Sequence, residues 1–168
     1  QFNMRELSRV FAGVFEAPRE SIVDETYLLA LWRHECERVF SDKLTNAKDK
    51  EWENNEILRV ISDTFGSEMA SAVEGSCYFV NFLEEPTYDE DGVCIDERPK
   101  LYKQVQDVQE VRAKALEFQV RRNEETKVGK LELVLFEYAL EHLMRISRVI
   151  SMDRGSMMLV GVGGSGKQ

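Results

Sequence analysis

The sequence contains few of the residues on which disulfide-rich, membrane-spanning and nucleic-acid-binding proteins depend. Its three widely spaced cysteines, Cys36, Cys77 and Cys94, form neither a paired disulfide framework nor a Cys-x-x-Cys metal motif, so we expect a reducing compartment. No stretch approaches the roughly 18 apolar residues of a membrane helix. The 22 basic residues are outnumbered by 31 acidic ones, and the net charge of −9 opposes binding to nucleic-acid phosphates. We therefore expect a soluble protein that has neither nucleic acid nor a membrane as a partner.

Helical periodicity is the main signal in the first part of the chain. Only 3 of the 168 residues are proline, and a hydrophobic content of 43% is enough for a packed core. Asn3 and Glu6 have the spacing of a capping box, which predicts a helix over residues 4–16. Ser21 with Asp24 repeats the signature before a second apolar stripe.

The second and third helices complete a predicted small bundle. Apolar residues at helical spacing continue to about Leu44, and a polar run then predicts a turn over residues 45–51. A third helix follows and ends at Phe65, because Gly66 tolerates the left-handed conformation that closes a helix.

The second half of the chain changes character. Residues 77–83 are aromatic and β-branched, which predicts a short strand or an extended packing segment. The acidic stretch 86–99, bounded by prolines, is typical of a linker or an exposed hairpin. Beyond it, apolar periodicity predicts a helix over residues 101–118 and a last long helix over residues 136–150.

These patterns predict a mainly α-helical fold with a division in the middle. We expect a helical bundle over residues 1–85, a linker over 86–97, and a second part over 98–168. The second part contains the two long helices and a truncated segment in which a strand leads into a glycine loop.

The glycine loop at the end of the sequence carries the clearest chemistry. Residues 157–160 are apolar and predict a buried strand, and they are followed directly by the pattern Gly-x-x-x-x-Gly-Lys. Such a loop turns backbone N–H groups toward a phosphate, and its lysine binds the outer phosphates of a nucleotide. The predicted nucleotide-binding residues are Gly161, Gly163, Gly164, Ser165, Gly166, Lys167 and Gln168. The alternative interpretation is a glycine-rich turn without a ligand.

The loop departs from its usual pattern at one position. Gln168 stands where Ser or Thr normally offers a hydroxyl to Mg²⁺, so we expect no metal site in this segment and regard Gln168 as a weak magnesium candidate. We predict no catalytic residue in the chain and no bound cofactor, because the acidic and arginine groups needed for ATP hydrolysis do not follow the loop. We expect this chain alone to be inactive as an ATPase.

Three other patterns resemble functional sites and have simpler interpretations. Residues 133–137 look like a strand with a catalytic acid, but their helical period favours a buried helix with an exposed Glu137. His34 and His142 lack the His-Glu-x-x-His spacing of a metal site, so we interpret them as packing or solvated histidines. The acidic residues 89–91 lack the spacing of a calcium loop.

The motifs at both ends resemble one family. Residues 159–168, Leu-Val-Gly-Val-Gly-Gly-Ser-Gly-Lys-Gln, resemble the phosphate loop of the fourth AAA+ module in axonemal-type dynein heavy chains, where Gln in place of Thr is typical. Residues 133–149 are similar to the helix before that loop. Residues 2–10, Phe-Asn-Met-Arg-Glu-Leu-Ser-Arg-Val, resemble a segment in the helical lid of the third module, and residues 31–44 resemble the next helix.

The resemblance implies a fragment of an ATP-driven microtubule motor of cilia or flagella, located in the axoneme. In the parent chain it implies ATP or ADP with Mg²⁺ as cofactor, and neighbouring AAA+ modules, microtubules and other dynein chains as partners. Arg5 stands where the lid supplies a second sensor arginine to its own module's nucleotide. Glu6 replaces the usual Asp, and Trp52-Glu53 stands where the family tends to have Trp-Phe, so we expect different packing there.

The resemblance also implies a mechanical role for residues 1–85, because packed helices move as one body. Two alternatives remain: a helical scaffold or adaptor with a flexible glycine-rich tail, and a complete small nucleotide-binding protein. We further expect a monomer in which residues 155–168 are mobile unless neighbouring molecules hold them, since a lone strand has no sheet to pair with.

Overall fold

The computed structural model describes residues 3–75, 77–97, 99–126 and 129–161. Within these residues the fold is mainly helical, as predicted, with six α-helices and four very short strands. The helices are α1 (Met4–Val14), α2 (Glu25–Cys36), α3 (Ala47–Phe65), α4 (Ser67–Ala72), α5 (Val108–Glu125) and α6 (Glu137–Ser151). The strands are β1 (Phe79–Val80), β2 (Thr87–Tyr88), β3 (Cys94–Asp96) and β4 (Lys103–Gln104). No helix among the described residues is long and apolar enough to cross a membrane.

The predicted N-terminal signals of α1 and α2 are largely confirmed. The Asn3 side chain accepts hydrogen bonds from the backbone of Arg5 and Glu6, and the Glu6 carboxylate accepts from the Asn3 N–H, so the capping box is complete. At α2, Asp24 is the cap and accepts from the Tyr27 N–H at 2.7 Å. Ser21 belongs instead to a short 3₁₀ turn.

The bundle differs from the prediction between α2 and α3. The chain leaves the α-helix at Cys36 and forms a π-helical turn over Glu37–Ser41, in which the Asp42 N–H bonds to the Glu37 carbonyl five residues earlier. The predicted turn over 45–51 is wrong in length. Asn46 accepts from the Lys48 N–H and starts α3 at once, because a capped helix end satisfies its own N–H groups.

A short helix, α4, was not predicted, because its six residues are too few to display a periodicity. Gly66 has φ 99°, which ends α3 and begins α4 in one step. The guanidinium of Arg33 on α2 then donates to the carbonyls of Val73 and Gly75 beyond the end of α4. Arg33 also bonds to the Asn54 side chain at 2.8 Å. One buried arginine thus ties α4 and α3 to α2.

The middle segment lies between two hydrophobic cores. Strand β1 pairs antiparallel with β4, and β2 pairs with β3 in an exposed hairpin, as one alternative for residues 86–99 predicted. Alternation along β1 directs Phe79 into one core and its neighbours Tyr78 and Val80 into the other. The first core gathers Val10, Leu31, Ile57, Ile61, Phe79 and Tyr102, and the second gathers Tyr78, Val80, Val111, Leu140 and Met144.

Two helix predictions in the second half need correction. The helix predicted from residue 101 begins only at Val108, where Asp107 caps it by accepting from the Gln109 N–H at 2.9 Å. The residues before it are extended because Lys103 and Gln104 pair with β1. The predicted buried helix over 133–137 is wrong as well, since α6 starts at Glu137 and Val134 is 84% exposed. The last helix itself is confirmed.

Candidate functional site

The residues predicted to bind nucleotide lie at the edge of the described structure. Gly161 is described, whereas Gly163, Gly164, Ser165, Gly166, Lys167 and Gln168 lie outside the described residues. The buried strand predicted before the loop is not found. Residues 157–160 have no secondary structure and are exposed, and none of the four described strands pairs with them.

A tight turn connects α6 to this segment. Arg154 has a left-handed backbone with φ 54°, and the Gly155 N–H donates to the Met152 carbonyl at 3.0 Å. A Cβ on Gly155 would lie 1.8 Å from the carbonyl oxygen of Val149. Only glycine fits this close return of the chain to the end of the helix.

The predicted sensor arginine lies at the other end of the described structure. Arg5 is in the first turn of α1, and its side chain is exposed. Its neighbour Glu6 bonds to Lys43, which follows the π-helical turn. The Arg5 side chain is therefore accessible at the surface of the described bundle.

A buried polar network joins the bundle to α6, and the sequence interpretation assigned no role to it. Arg148 on α6 makes two hydrogen bonds to the carboxylate of Glu35 on α2, with Nε 3.0 Å from Oε1 and Nη2 3.2 Å from Oε2. Tyr102 donates its hydroxyl to the same carboxylate. The Tyr102 ring also covers the arginine, with its centroid 4.7 Å from Cζ. This arrangement is a bidentate ion pair capped by an aromatic ring.

The electrostatics of this network follow from its burial. Glu35, Tyr102 and Arg148 are at most 4% exposed. Burial raises the pKa of the Tyr102 phenol well above its usual value, and the charge of Glu35 raises it further. Burial opposes the charge on Arg148, but Tyr102 and Glu35 outweigh that effect and raise its pKa. The raised pKa values keep the Tyr102 phenol protonated and the Arg148 guanidinium charged in the interior.

A second contact between the bundle and α6 lies nearer the surface. Arg145, one turn before Arg148, donates to the Tyr78 hydroxyl at 3.2 Å. The Arg38 guanidinium also lies over the Tyr78 ring, with Cζ 5.4 Å from the ring centroid. Arg38 is itself paired with Asp42 at 2.7 Å. These contacts form a second connection between the bundle and α6, in addition to the buried network.

The two histidines have the roles expected of packing or solvated side chains. His34 is 1% exposed, and its Nδ1 lies 3.0 Å from the Cys77 carbonyl. Burial, together with the positive charge of Arg38, lowers its pKa well below the usual value, so it is neutral. His142 lies at the surface of α6 against Tyr138. Among the described residues, no cluster of three or more His, Cys, Asp or Glu side chains suits a metal ion.

A sequence signal for the buried network did exist. On α6 the buried stripe runs Leu140, Met144, Arg148, so an arginine occupies the next position of an apolar face. On α2, Glu35 follows Leu31 by four residues in the same way. A charged residue in line with a buried stripe points to a buried ion pair, because an unpaired charge there would be too costly.

The comparisons with known proteins match two separate parts of the chain. A family model for the AAA+ lid domain matches residues 1–74, and one for the P-loop containing dynein motor region D4 matches residues 131–168. The dynein gamma chain of the flagellar outer arm from Chlamydomonas reinhardtii is 45% identical. Human dynein axonemal heavy chain 8 and mouse dynein axonemal heavy chain 5 are each 38% identical. Each alignment covers 99% of this chain.

The chain belongs to the axonemal dynein heavy-chain family. It spans 4% of the length of each of these relatives. In this dynein segment the lid match ends just after α4, and the P-loop match begins six residues before α6. Glu35 lies in the first matched part and Arg148 in the second. The buried pair therefore joins the two dynein regions directly.

Proposed function

We propose that this chain is the connecting segment of a dynein heavy chain, in which the lid of the third AAA+ module is joined to the start of the fourth. The order of the two family matches supports this proposal. The observation that carries it is the buried Glu35–Arg148 pair between the matched parts. The proposed units are the lid over residues 1–85, the linker over 86–97 and the fourth module's beginning over 98–168.

The heavy chain that contains this segment is proposed to be an ATP-driven microtubule motor in the axoneme of cilia or flagella. The names of the relatives, which refer to flagellar outer-arm and axonemal dyneins, support this assignment. The segment's own part is to transmit movement between modules. Its densely packed helices suit that task, because a close-packed core resists compression and moves as a body.

The glycine loop is proposed to bind the phosphates of ATP or ADP. Its backbone N–H groups and the Lys167 ammonium are donors that match phosphate oxygens, and the P-loop match over 131–168 supports this role. Gln168 offers a neutral amide oxygen, so it is the candidate ligand for the accompanying Mg²⁺. Bound nucleotide would supply the phosphate contacts that the motor uses to change shape.

Arg5 is proposed to contact the nucleotide of the third module. Its position in the first turn of a lid helix and its exposure leave the guanidinium accessible to a phosphate. We expect Arg5→Ala to weaken nucleotide binding at that module about tenfold, whereas Arg9→Ala, an exposed arginine one turn later, has no effect. Equal effects of the two substitutions would contradict the sensor role.

The decisive test of the nucleotide proposal is Lys167→Ala in the full-length heavy chain. Binding of a fluorescent ATP analogue is titrated, and the variant is expected to lose one nucleotide site, because the lysine neutralises the outer phosphates. Lys130→Ala, an exposed lysine before α6, serves as the control and is expected to keep every site. An unchanged number of sites in Lys167→Ala would refute binding at this loop.

A further inference from the structure

The junction between α2 and α6 is fixed from four sides. Glu35 comes from α2, Arg148 from α6, and Tyr102 from the extended segment that leads into β4. The fourth side is Gly13 on α1, which lies directly against the ion pair. A Cβ at Gly13 would be 1.9 Å from the Glu35 Oε2 and 2.8 Å from the Arg148 Nη2. The pair therefore occupies space that any side chain at position 13 would require.

A buried pair of this kind determines geometry more than it adds stability. Removing two charges from water costs about as much free energy as their attraction returns. The two parallel N–H···O bonds, however, form only within a narrow range of angles and distances. Apolar contacts alone are more permissive, because packed cores lose their unique arrangement before they lose stability. The ion pair thus restricts the orientation of α6 relative to α1 and α2.

The location of the pair gives this restriction a consequence for the loop. Arg148 is in the last turn of α6, and the tight Arg154–Gly155 turn follows the end of that helix. From there residues 156–160, which are exposed and have no secondary structure, lead to Gly161. The orientation of α6 therefore sets the direction in which the chain leaves the helix toward the loop.

We propose that Glu35, Arg148 and Tyr102 form a junction lock that fixes the angle between the lid helices and α6, the helix that leads to the phosphate loop. The inference rests on the proposed function, because it assigns that connecting role to particular residues. These three act as positioning residues and do not contact the nucleotide. Arg145 on α6 makes a second, partly exposed polar contact with the hydroxyl of Tyr78, which precedes β1.

The test measures orientation in the full-length heavy chain. Spin labels are introduced through a non-natural amino acid at Asn55 on α3 and Glu137 on α6, and the distribution of label distances is recorded by pulsed electron resonance. A second pair, at Asn55 and Arg9, reports on the lid alone. The central variant is the double substitution Glu35→Gln with Arg148→Met, because removing both charges leaves neither one buried without a partner.

We expect the lid-to-α6 distribution to widen about twofold in the double variant, while the distribution within the lid stays unchanged. The single variant His142→Gln, at a partly exposed position of α6 whose ring packs against Tyr138 of the same helix, is expected to leave both distributions as they are. An unchanged lid-to-α6 width in the double variant would overturn the proposal. Equal widening of both distributions would also overturn it, since that result indicates general loosening and not a lost angle.

Failure of the lock is distinguishable from failure of the proposed function. If the loop binds no nucleotide, Lys167→Ala leaves the number of nucleotide sites unchanged, while the double variant still widens the lid-to-α6 distribution. If the lock is wrong, the label distances are unchanged in the double variant, while Lys167→Ala still removes a site.

Tyr102→Phe adds a graded check, because it removes the hydroxyl and keeps the ring over Arg148. Its widening is expected to be smaller than that of the double variant, and a larger one would contradict the dominant role of the ion pair.

Discussion

The two cores of this chain differ in how completely the described residues cover them. The first draws side chains from α1, α2, α3, β1 and Tyr102. Most of its predicted apolar faces are buried, and the exception is one stripe of α1. The second has five buried residues, which come from β1 and the preceding Tyr78, from α5 and from α6. Around it many apolar side chains stay exposed, namely Leu116, Val120, Leu131, Leu133, Val134, Phe136, Tyr138, Ile150 and residues 157–160. Apolar periodicity therefore predicts burial only where a partner surface is present.

The comparison is tested most strongly by truncating one leucine in each core. Leu31 and Leu140 are both fully buried. Leu31→Ala is expected to cost about 4 kcal/mol of unfolding free energy and Leu140→Ala about 2 kcal/mol, because the thinner second core relaxes around the cavity. Urea unfolding followed by circular dichroism measures both values. An equal or larger loss at Leu140 would show that the second core is as tightly packed as the first.

The boundary between the cores is tested by Gly13→Ala. In an exposed helix this change stabilises by about 1 kcal/mol. Here the new methyl group would displace the Glu35–Arg148 pair, so we expect a loss of about 3 kcal/mol. The matched control is Ala12→Gly on the exposed neighbouring position, which is expected to cost about 1 kcal/mol through helix propensity alone. A rise in melting temperature for Gly13→Ala would contradict the close contact.

Local signals were predictable from the sequence where a few neighbouring residues decide the outcome. The Asn3–Glu6 capping box and the turn at Gly66 are of this kind, since their hydrogen bonds and backbone angles lie within one turn of chain. The extended segment before α5 was not predicted, because Leu101, Val105 and Val108 have helical spacing while strand pairing with distant β1 decides the conformation.

The candidate site was predictable in part for the same reason. The glycine-lysine motif predicts a phosphate ligand because its residues are consecutive in the sequence. Most of the motif lies outside the described residues. The junction lock joins Glu35 to Arg148, which are 113 positions apart, so no local pattern contains both. The only sequence signal for these two residues is that each places a charge at a position of an apolar stripe. That signal does not show which charged residues pair with each other.

A smaller effect is expected at Glu53 within the first core. This carboxyl is 4% exposed, and burial together with the nearby Glu37 raises its pKa from 4.5 to about 7. The unfolded chain loses this proton near pH 4.5, whereas the folded chain keeps it until about pH 7. The contribution of Glu53 to stability is therefore full below pH 4.5, falls as the pH rises to about 7, and is constant above that.

Substituting Glu53 checks this pH dependence. Glu53→Gln is expected to flatten the decline in melting temperature between acidic and neutral pH, and to stabilise the chain by about 1 kcal/mol at pH 8, because no buried charge forms. Glu51→Gln, at an exposed position of α3, is expected to leave the pH profile unchanged. A Glu53→Gln profile that follows the wild type at every pH would exclude a raised pKa.

The smallest effect is expected where an apolar residue lacks cover. Val134 precedes α6 and is 84% exposed, so Val134→Ser removes almost no buried surface and is expected to change the unfolding free energy by less than about 0.5 kcal/mol. The matched control is Val111→Ser on α5, a fully buried valine of the second core, which is expected to cost about 3 kcal/mol. Urea unfolding measures both. A cost at Val134 approaching that at Val111 would mean that residues 131–136 are packed in solution. The exposure of these residues, and not a smaller number of packed side chains, would then account for the contrast between the two cores.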